Sequence, residues 1–468
     1  MKLVPQPYKI TKLTGFSSQN EIDLFENAPE FSEEEYELFI SADRIIARAS
    51  CDKGFYYAKK TMKQINLLYD KIPCVLIHDK PRFSYRGIMI DCARHMFSIP
   101  ELKKMISVAS DFKFNKLHWH LSDDQGFRLE IEGFPELTEK GSVRKCDEFI
   151  NCKSDKEYSG YYTKKQIKEI IDFCKDNFID VIPEFDMPGH QSALLHVFPE
   201  FTCTGGDVEV KTKQGIFKDI ICAGNDEARK VLEKILDEIC ELFPYEYIHI
   251  GGDEVPKTNW KTCEKCQKIM AENSLSDENA LQCFFINKMA EYLENKGKKC
   301  IVWNDCLKGE GLSKTLTVQQ WQGTAKKTAL AANGGQKIIM SHFGAYYVDY
   351  PYGMHPLSAA YSFEPRNFRG LNSDGKKNII GVESPIWTEH INNEDRLEYM
   401  CFPRWFAVAE TAWSEKQNKS FNDFYSVCGS LCEIYRKEGV NCAPESEWKK
   451  KSPLKRLTET IGFFLPKK

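Results

Sequence analysis

The chain has 468 residues, 42% hydrophobic and 28% charged, which is ordinary for a soluble globular protein and long enough for one large domain beside a smaller one. A formal net charge of -4 and a pI near 6.3 provide no basic field for nucleic acid or an anionic membrane, so uncharged partners are expected. The opening MKLVPQPYKITKL lacks the apolar core of a secretory signal, and no run is long enough to span a bilayer; a cytoplasmic location is expected. The 18 cysteines are scattered through apolar contexts such as Ile221-Cys222 and Ile239-Cys240, where a reduced thiol packs as a small hydrophobe. Cys263-x-x-Cys266 has a metal-like spacing, but a closed zinc site takes four ligands and no second pair at similar spacing accompanies it. Neither a metal nor a cofactor is therefore expected.

In chain order, YELFI and RIIARAS from Tyr36 onward alternate as strands, and FYYAKKTMKQINLLY after Gly54 has helical spacing. Residues 1–81 thus read as a small α+β domain. After Pro81-Arg82-Phe83 the pattern changes to short apolar runs separated by amphipathic helices. RGIMID precedes Ile99–Phe112, KLHWHL precedes Lys164–Asn177, DVIPEF precedes Glu227–Phe243, and YIHIGG precedes Asn279–Lys296. CIVWND follows, then LTVQQW before Thr324–Ala332, KIIMSH, and IIGVES before Arg396–Ala409. About eight strand-helix units in succession predict an α/β fold of the closed (β/α)8 TIM-barrel type over 82–440, its interior filled by side chains. Phe421–Arg436 reads as a helix closing the barrel, 441–468 as a solvated, Lys-rich tail, and Phe284-Phe285 as either core or interface.

In this fold the functional residues sit at the C-terminal ends of the strands. HIGGDEV, His249–Val255, places the adjacent acids Asp253 and Glu254 behind a Gly-Gly pair at one such end. Neighbouring side chains on an extended chain point to opposite sides, so both acids can face one ligand only where the strand bends, as Gly251-Gly252 allows. Taken alone, an Asp-Glu pair is more often a helix cap or a solvated turn. The other strand ends argue against that reading. They carry Arg94 and His95, His118 to His120 with Asp123 and Asp124, Glu184, Asp186 and His190, Trp303 and Asp305, Trp321, Tyr346-Tyr347 with Asp349, and Trp387 with Glu389. Acids, an Arg, a His and several rings converging on one pocket suit a sugar, whose C–H faces pack on rings while its hydroxyls bond to carboxylates and guanidinium.

YRGIMIDCARHMFS, NKLHWHLSDDQGFRLEI, IPEFDMPGH, HIGGDEV and VESPIWTEH, in that order, resemble the signature segments of the β-N-acetylhexosaminidases of glycoside hydrolase family 20. The resemblance implies a retaining, exo-acting enzyme that removes terminal β-linked GlcNAc or GalNAc by substrate-assisted catalysis. It implies Glu254 as the general acid and then base, its pKa raised by burial and by an adjacent Asp253 anion. It implies Asp253 as the acceptor of the substrate's acetamido N–H, and Tyr347 as the donor to the acetamido carbonyl. Trp303, Trp321 and Trp387 would wall the site; Arg94, Asp349 and Glu389 would bind the sugar hydroxyls; Asp123, His190 and His120 would complete the rim. The expected partner is a small oligosaccharide or glycoconjugate ending in a β-N-acetylhexosamine.

Three other readings compete. An enzyme releasing a disaccharide such as lacto-N-biose would need an opening where Arg94 is expected. A sugar-binding barrel without turnover would have no use for the acid Glu254. A metal-dependent hydrolase would draw ligands from Asp123, Asp124, His118 and His120.

Overall fold

The computed structural model describes residues 1–323 and 325–465. Thr324, with which the sixth barrel helix is expected to start, lies outside them, as do residues 466–468; that helix is observed over Ala325–Asn333. Among the described residues no helix is long and apolar enough to cross a membrane.

Strands β1 (Lys9–Phe16), β2 (Leu24–Asn27), β3 (Tyr36–Ile40), β4 (Ile45–Ala49) and β5 (Pro73–Asp79) form one sheet in the order β1-β5-β3-β4-β2. The alternation read in β3 and β4 buries Tyr36, Leu38, Ile40, Ile45 and Ala47 against Tyr57, Ala58, Met62 and Ile65 of helix α1 (Asp52–Leu68).

Eight parallel strands then close a barrel: β6 (Tyr85–Asp91), β7 (Lys116–His120), β8 (Asp180–Glu184), β9 (Tyr247–His249), β10 (Lys299–Trp303), β11 (Thr317–Gln320), β12 (Ile338–Met340) and β13 (Ile379–Ile386), with β13 pairing back to β6. The helices between them start where the sequence supplies caps. The Ser98 hydroxyl accepts from the Glu101 N–H ahead of α2 (Ile99–Asp111), and Thr163 and Gln166 form a capping box on α3 (Lys164–Asp176). Helices α4 (Asp226–Leu242), α5 (Glu278–Asn295) and α6 (Ala325–Asn333) follow. The single helix expected over Arg396–Ala409 is two, α7 (Glu394–Cys401) and α8 (Arg404–Trp413), because Pro403 has no N–H to continue the ladder and its ring clashes with the preceding turn.

The barrel interior is layered. Tyr85, Ile182, Ile301 and Ile339, one from every second strand, pack as an apolar cluster. His118, Gln319 and Glu383, from the intervening strands β7, β11 and β13, make a polar layer: Glu383 Oε1 accepts from His118 Nδ1 at 2.9 Å and from Gln319 Nε2 at 2.6 Å. The filled interior expected of the barrel is therefore ionic in its middle.

Helix α9 (Phe421–Lys437) packs through Phe424, Val427, Leu431 and Tyr435. The segment read as a solvated tail is instead partly structured, as helix α10 (Pro453–Phe464). It folds back on the barrel rim, with the Phe463 ring 4.7 Å from His390 and the Arg456 Nε–H donating to the Gly353 carbonyl at 2.9 Å. Phe285 is core, whereas Phe284 is only partly buried.

A buried carboxylate joins the small sheet to the barrel. Asp79, at the end of β5, accepts from Tyr36 Oη at 2.6 Å, Trp413 Nε1 at 2.9 Å and the Tyr8 N–H at 2.9 Å, and pairs with Lys113 Nζ at 2.7 Å. Lys113 is 3% exposed, and burial lowers its pKa against the pull of Asp79. Asp79→Ala strands that ammonium, and urea unfolding is expected to register a loss of about 3–5 kcal/mol; a loss under about 1 kcal/mol would contradict the assignment.

Candidate active site

The Gly-Gly pair behaves as its position requires. The backbone is left-handed at Gly251, φ +64°, and at Gly252, φ +97°, where a Cβ would lie 1.6 Å from Asp186 Oδ1 and 2.5 Å from Cys306 Sγ respectively. The Gly252 N–H donates to Asp186 Oδ1 at 2.9 Å, and its carbonyl accepts from Gln282 Nε2 at 2.7 Å. The chain so turned sends Asp253 and Glu254 into one cavity. Glu254 itself has φ +45°, a left-handed conformation that costs a non-glycine residue about 1–3 kcal/mol and is found chiefly where function demands it.

The cavity has a volume of about 250 Å³, at the small end for ligand pockets. All the site residues expected from the sequence line it except His120 and Trp303. Trp321 and Tyr347 stack at 6.0 Å and 23°, Trp387 lies 6.5 Å from Tyr347, and the Arg94 guanidinium sits 5.0 Å above the Trp387 ring. Trp321 is fixed by Asp305, whose Oδ2 accepts from the indole N–H at 2.8 Å, and Trp387 hydrogen-bonds the Tyr347 hydroxyl. Tyr347 lines the cavity, whereas Tyr346 is turned away, edge-on to Phe363 at 5.3 Å.

His120 and Trp303 lie one layer below. The Trp303 Nε1–H donates to Glu184 Oε1 at 2.7 Å; the His120 ring bonds Glu184 through Nδ1 and Asp123 Oδ2 through Nε2 at 2.9 Å. They support the floor and do not line the cavity. The lining also includes Ile150, Gln214, Phe343, Tyr350, His390 and Phe464, which the sequence reading did not single out. Phe343 borders the KIIMSH segment and His390 closes VESPIWTEH, but Ile150, Gln214 and Phe464 come from stretches with no pattern pointing to the strand ends.

The floor is a chain of alternating charges. Glu184 lies 2.9 Å from His249 Nδ1 and 3.1 Å from His118 Nε2 in addition to its bond with His120. Burial works against the charge of His118 and His120, but Glu383 and Glu184 outweigh it and push their pKa values up to about 9 and about 10. His120 leads to Asp123, which pairs with Arg94 Nη2 at 2.7 Å. Arg94 is further fixed by Gln125 at 2.8 Å and Asp91 at 3.3 Å. His190 Nδ1 faces Asp124 at 3.2 Å and Asp123 at 3.3 Å, and its Nε2 lies 3.7 Å from both Asp253 Oδ2 and Glu254 Oε2. Burial opposes its charge too, but Asp123 and Asp253 hold its pKa well above the usual histidine range.

Opposite this cation the catalytic candidates resist ionisation. Burial, then Asp186, raises Asp253 well above the carboxylate range, and burial raises Asp186, which hydrogen-bonds Asp253, to about 8. Glu254 is raised by burial, as expected, but the leading carboxylate contribution comes from Asp305 and not from the Asp253 anion anticipated. Asp253 Oδ1 and Asp349 Oδ1 are buried with no hydrogen-bond partner among the described residues. Acceptors of this kind are costly unless a ligand's N–H or O–H completes them.

Of the residues named as ligands for a metal-dependent hydrolase, His120 pairs with Asp123, while His118 lies against Glu184 and Asp124 against His190. A four-thiol cluster lies elsewhere. Cys203 and Cys222, which are not a pair of similar spacing in the sequence, bring their sulfurs into one group with Cys263 and Cys266; they come from distant loops that no local spacing marks.

The profile of glycosyl hydrolase family 20, catalytic domain, matches residues 83–416. A beta-hexosaminidase of Porphyromonas gingivalis is 36% identical over 410 residues, covering 83% of this chain and 52% of that protein, so the chain spans about half that relative's length. A crystal structure of a beta-N-acetylhexosaminidase superposes with TM-score 0.86 at 28% identity, covering 96% of this chain and 98% of the other. The GH20 exo beta-N-acetylglucosaminidase from Vibrio harveyi, solved in complex with N-acetylglucosamine, superposes with TM-score 0.84 at 28% identity, covering 96% and 78%. With most of the barrel matched, and with acids and rings gathered at its strand ends, the chain belongs to glycosyl hydrolase family 20.

Proposed function

We propose that the protein is a retaining exo-β-N-acetylhexosaminidase that hydrolyses terminal β-linked GlcNAc or GalNAc through a substrate-assisted, oxazolinium route. The observation that carries this reading is the entry of two adjacent acids, Asp253 and Glu254, into one small cavity walled by Trp321, Tyr347 and Trp387. The relatives named above act on, or bind, sugars of this class.

In the first step Glu254 gives its proton to the glycosidic oxygen, and the bond from C1 to that oxygen breaks. The acetamido carbonyl oxygen of the same sugar bonds to C1, closing the oxazolinium ring. Asp253 accepts the acetamido N–H through the buried Oδ1 that lacks a protein partner. As an anion beside His190, Asp253 stabilises the positive charge of the ring. The Tyr347 hydroxyl, oriented by Trp387, donates to the carbonyl oxygen. In the second step the Glu254 carboxylate takes a proton from water, whose oxygen attacks C1 on the vacated face and opens the ring with retention. A nucleophile inside the substrate removes the entropy cost of bringing one in, worth several kcal/mol or more at about 10⁵ M effective molarity.

Arg94, clamped by Asp91, Asp123 and Gln125, is assigned to the sugar hydroxyls with Asp349 and Glu389, while Asp123 and His190 position the cation side of the pocket and His120 and Trp303 support it. A rim so fixed disfavours release of a disaccharide, because the opening that product needs is occupied by a guanidinium that cannot swing away without abandoning three partners.

Glu254→Gln is expected to lower kcat/KM on the β-1,4-linked GlcNAc disaccharide by about 10²–10⁴, and by less on the p-nitrophenyl glycoside, whose leaving group needs less protonation. Equal losses on both substrates would contradict an acid role, and wild-type protein inert on GlcNAc and GalNAc glycosides alike would overturn the reading. A second outcome concerns pH. The acid must carry its proton, so kcat/KM falls as pH rises through the Glu254 pKa, which burial and Asp305 hold above the ordinary range. Asp305→Asn, which keeps an oxygen for Trp321, is expected to move that alkaline limb to lower pH; a limb that stays put or moves up would contradict the assignment.

A further inference from the structure

A second constructed site lies outside the catalytic cavity. Cys203, just after the turn at Pro199–Phe201, Cys222, in the loop before α4, and Cys263 and Cys266, at the start of the helix Glu264–Glu272, converge on one point. The sulfur of Cys222 lies 3.6 Å from those of Cys263 and Cys266, and that of Cys203 lies 3.8 Å from Cys266; all four sulfurs are within 4.8 Å of one another. A disulfide requires sulfurs at about 2.05 Å. A tetrahedral zinc with Zn–S bonds of about 2.3 Å requires edges of about 3.8 Å. The observed separations match the second geometry.

The surroundings hold the two segments in close contact. A Cβ on Gly224 would fall 2.4 Å from the Lys265 carbonyl carbon and oxygen, so the loop carrying Cys222 and the helix start carrying Cys263 and Cys266 approach backbone to backbone. An apolar shell of Ile220, Val255, Trp260 and Leu281 packs around the group, and the Trp260 indole N–H donates to the Ile221 carbonyl at 3.0 Å.

We propose that these four cysteines bind one structural zinc ion as a closed tetrathiolate site. Four thiols release their protons to the solvent as the ion enters, and with all four positions taken the metal has no open coordination site for chemistry. Its purpose follows from what the two loops carry. The Ile221 N–H donates to the Pro188 carbonyl at 3.0 Å, two residues before His190, and Val255, part of the apolar shell, follows Glu254 directly. Gly189 packs on Val255 and the Asp253 carbonyl. The ion thus staples the loop bearing His190 to the loop bearing the two acids. None of the four cysteines lines the catalytic cavity, so this inference stands or falls separately from the proposed reaction.

The test is elemental analysis of the full-length protein purified under reducing conditions without chelator, followed by cobalt substitution. One zinc per chain is expected, retained in Glu254→Gln, lost in the Cys222→Ser/Cys266→Ser double variant, and released when four thiols are modified. Cobalt in its place should give sulfur-to-metal charge transfer and the intense visible bands of a tetrahedral ion. Loss of the zinc should lower Tm. Less than about a tenth of an equivalent, with no uptake of zinc or cobalt by the reduced wild-type protein, would overturn the proposal. So would mass-spectrometric detection of disulfides among these cysteines in the isolated protein, or full zinc content in the double variant. Should that variant fail to fold, the cobalt spectrum of the wild type still decides, since absence of a thiolate band excludes the site.

Discussion

The structure depends on one buried carboxylate. Glu184 ends strand β8 at the barrel axis and is closed off from water, yet its two oxygens are met by His118 and His120 of β7, His249 of β9 and the Trp303 indole of β10. A lone carboxylate there would cost several kcal/mol. Its partners hold it ionised, well below the usual range in spite of burial. With Glu383 it faces two imidazoliums, His118 and His120, so the centre of the barrel is close to neutral while every strand end that reaches it is fixed in register. Removing any member would strand the others, which is why the ionic layer positions side chains more strictly than an apolar filling would.

That order is transmitted upward. His120 orients Asp123; Asp123 holds Arg94 and faces His190; His190 stands between the Asp123 and Asp124 carboxylates and the pair of acids that face the ligand. The result is a pocket in which a cation is placed beside acids that burial discourages from ionising. The Gly251-Gly252 turn supplies what charge alone cannot, because without left-handed backbone at that point Asp253 and Glu254 would diverge.

Much of this was legible in the sequence because it is local. Each barrel strand is a short apolar run ending in polar residues, so the eight-strand order and the entry of Asp253, Glu254, Tyr347 and Arg94 into one site follow from reading strand ends together. Features set by tertiary context were not. Strands β1 and β2 are exposed on both faces and lack the alternation that marks β3 and β4. His120 and Trp303 sit at strand ends as expected, but the inward or outward choice depends on Glu184, which claims both. Phe464 reaches the cavity mouth from a helix hidden in a lysine-rich stretch, and Ile150 and Gln214 arrive on irregular loops. The four-cysteine group is the clearest case, since one local pair is visible while Cys203 and Cys222 are joined to it only by the fold.

The central claim is that the substrate's own acetamido oxygen attacks C1. The most direct measurement is kcat/KM for a series of β-glycosides whose N-acetyl group is replaced by mono-, di- and trifluoroacetyl, which differ little in size but progressively weaken the carbonyl as a nucleophile. A steep, regular fall along the series, ending near background for the trifluoroacetyl compound, is the predicted result. A flat series, or full turnover of the corresponding glucoside that has no acetamido group, would contradict it and require a nucleophile from the protein.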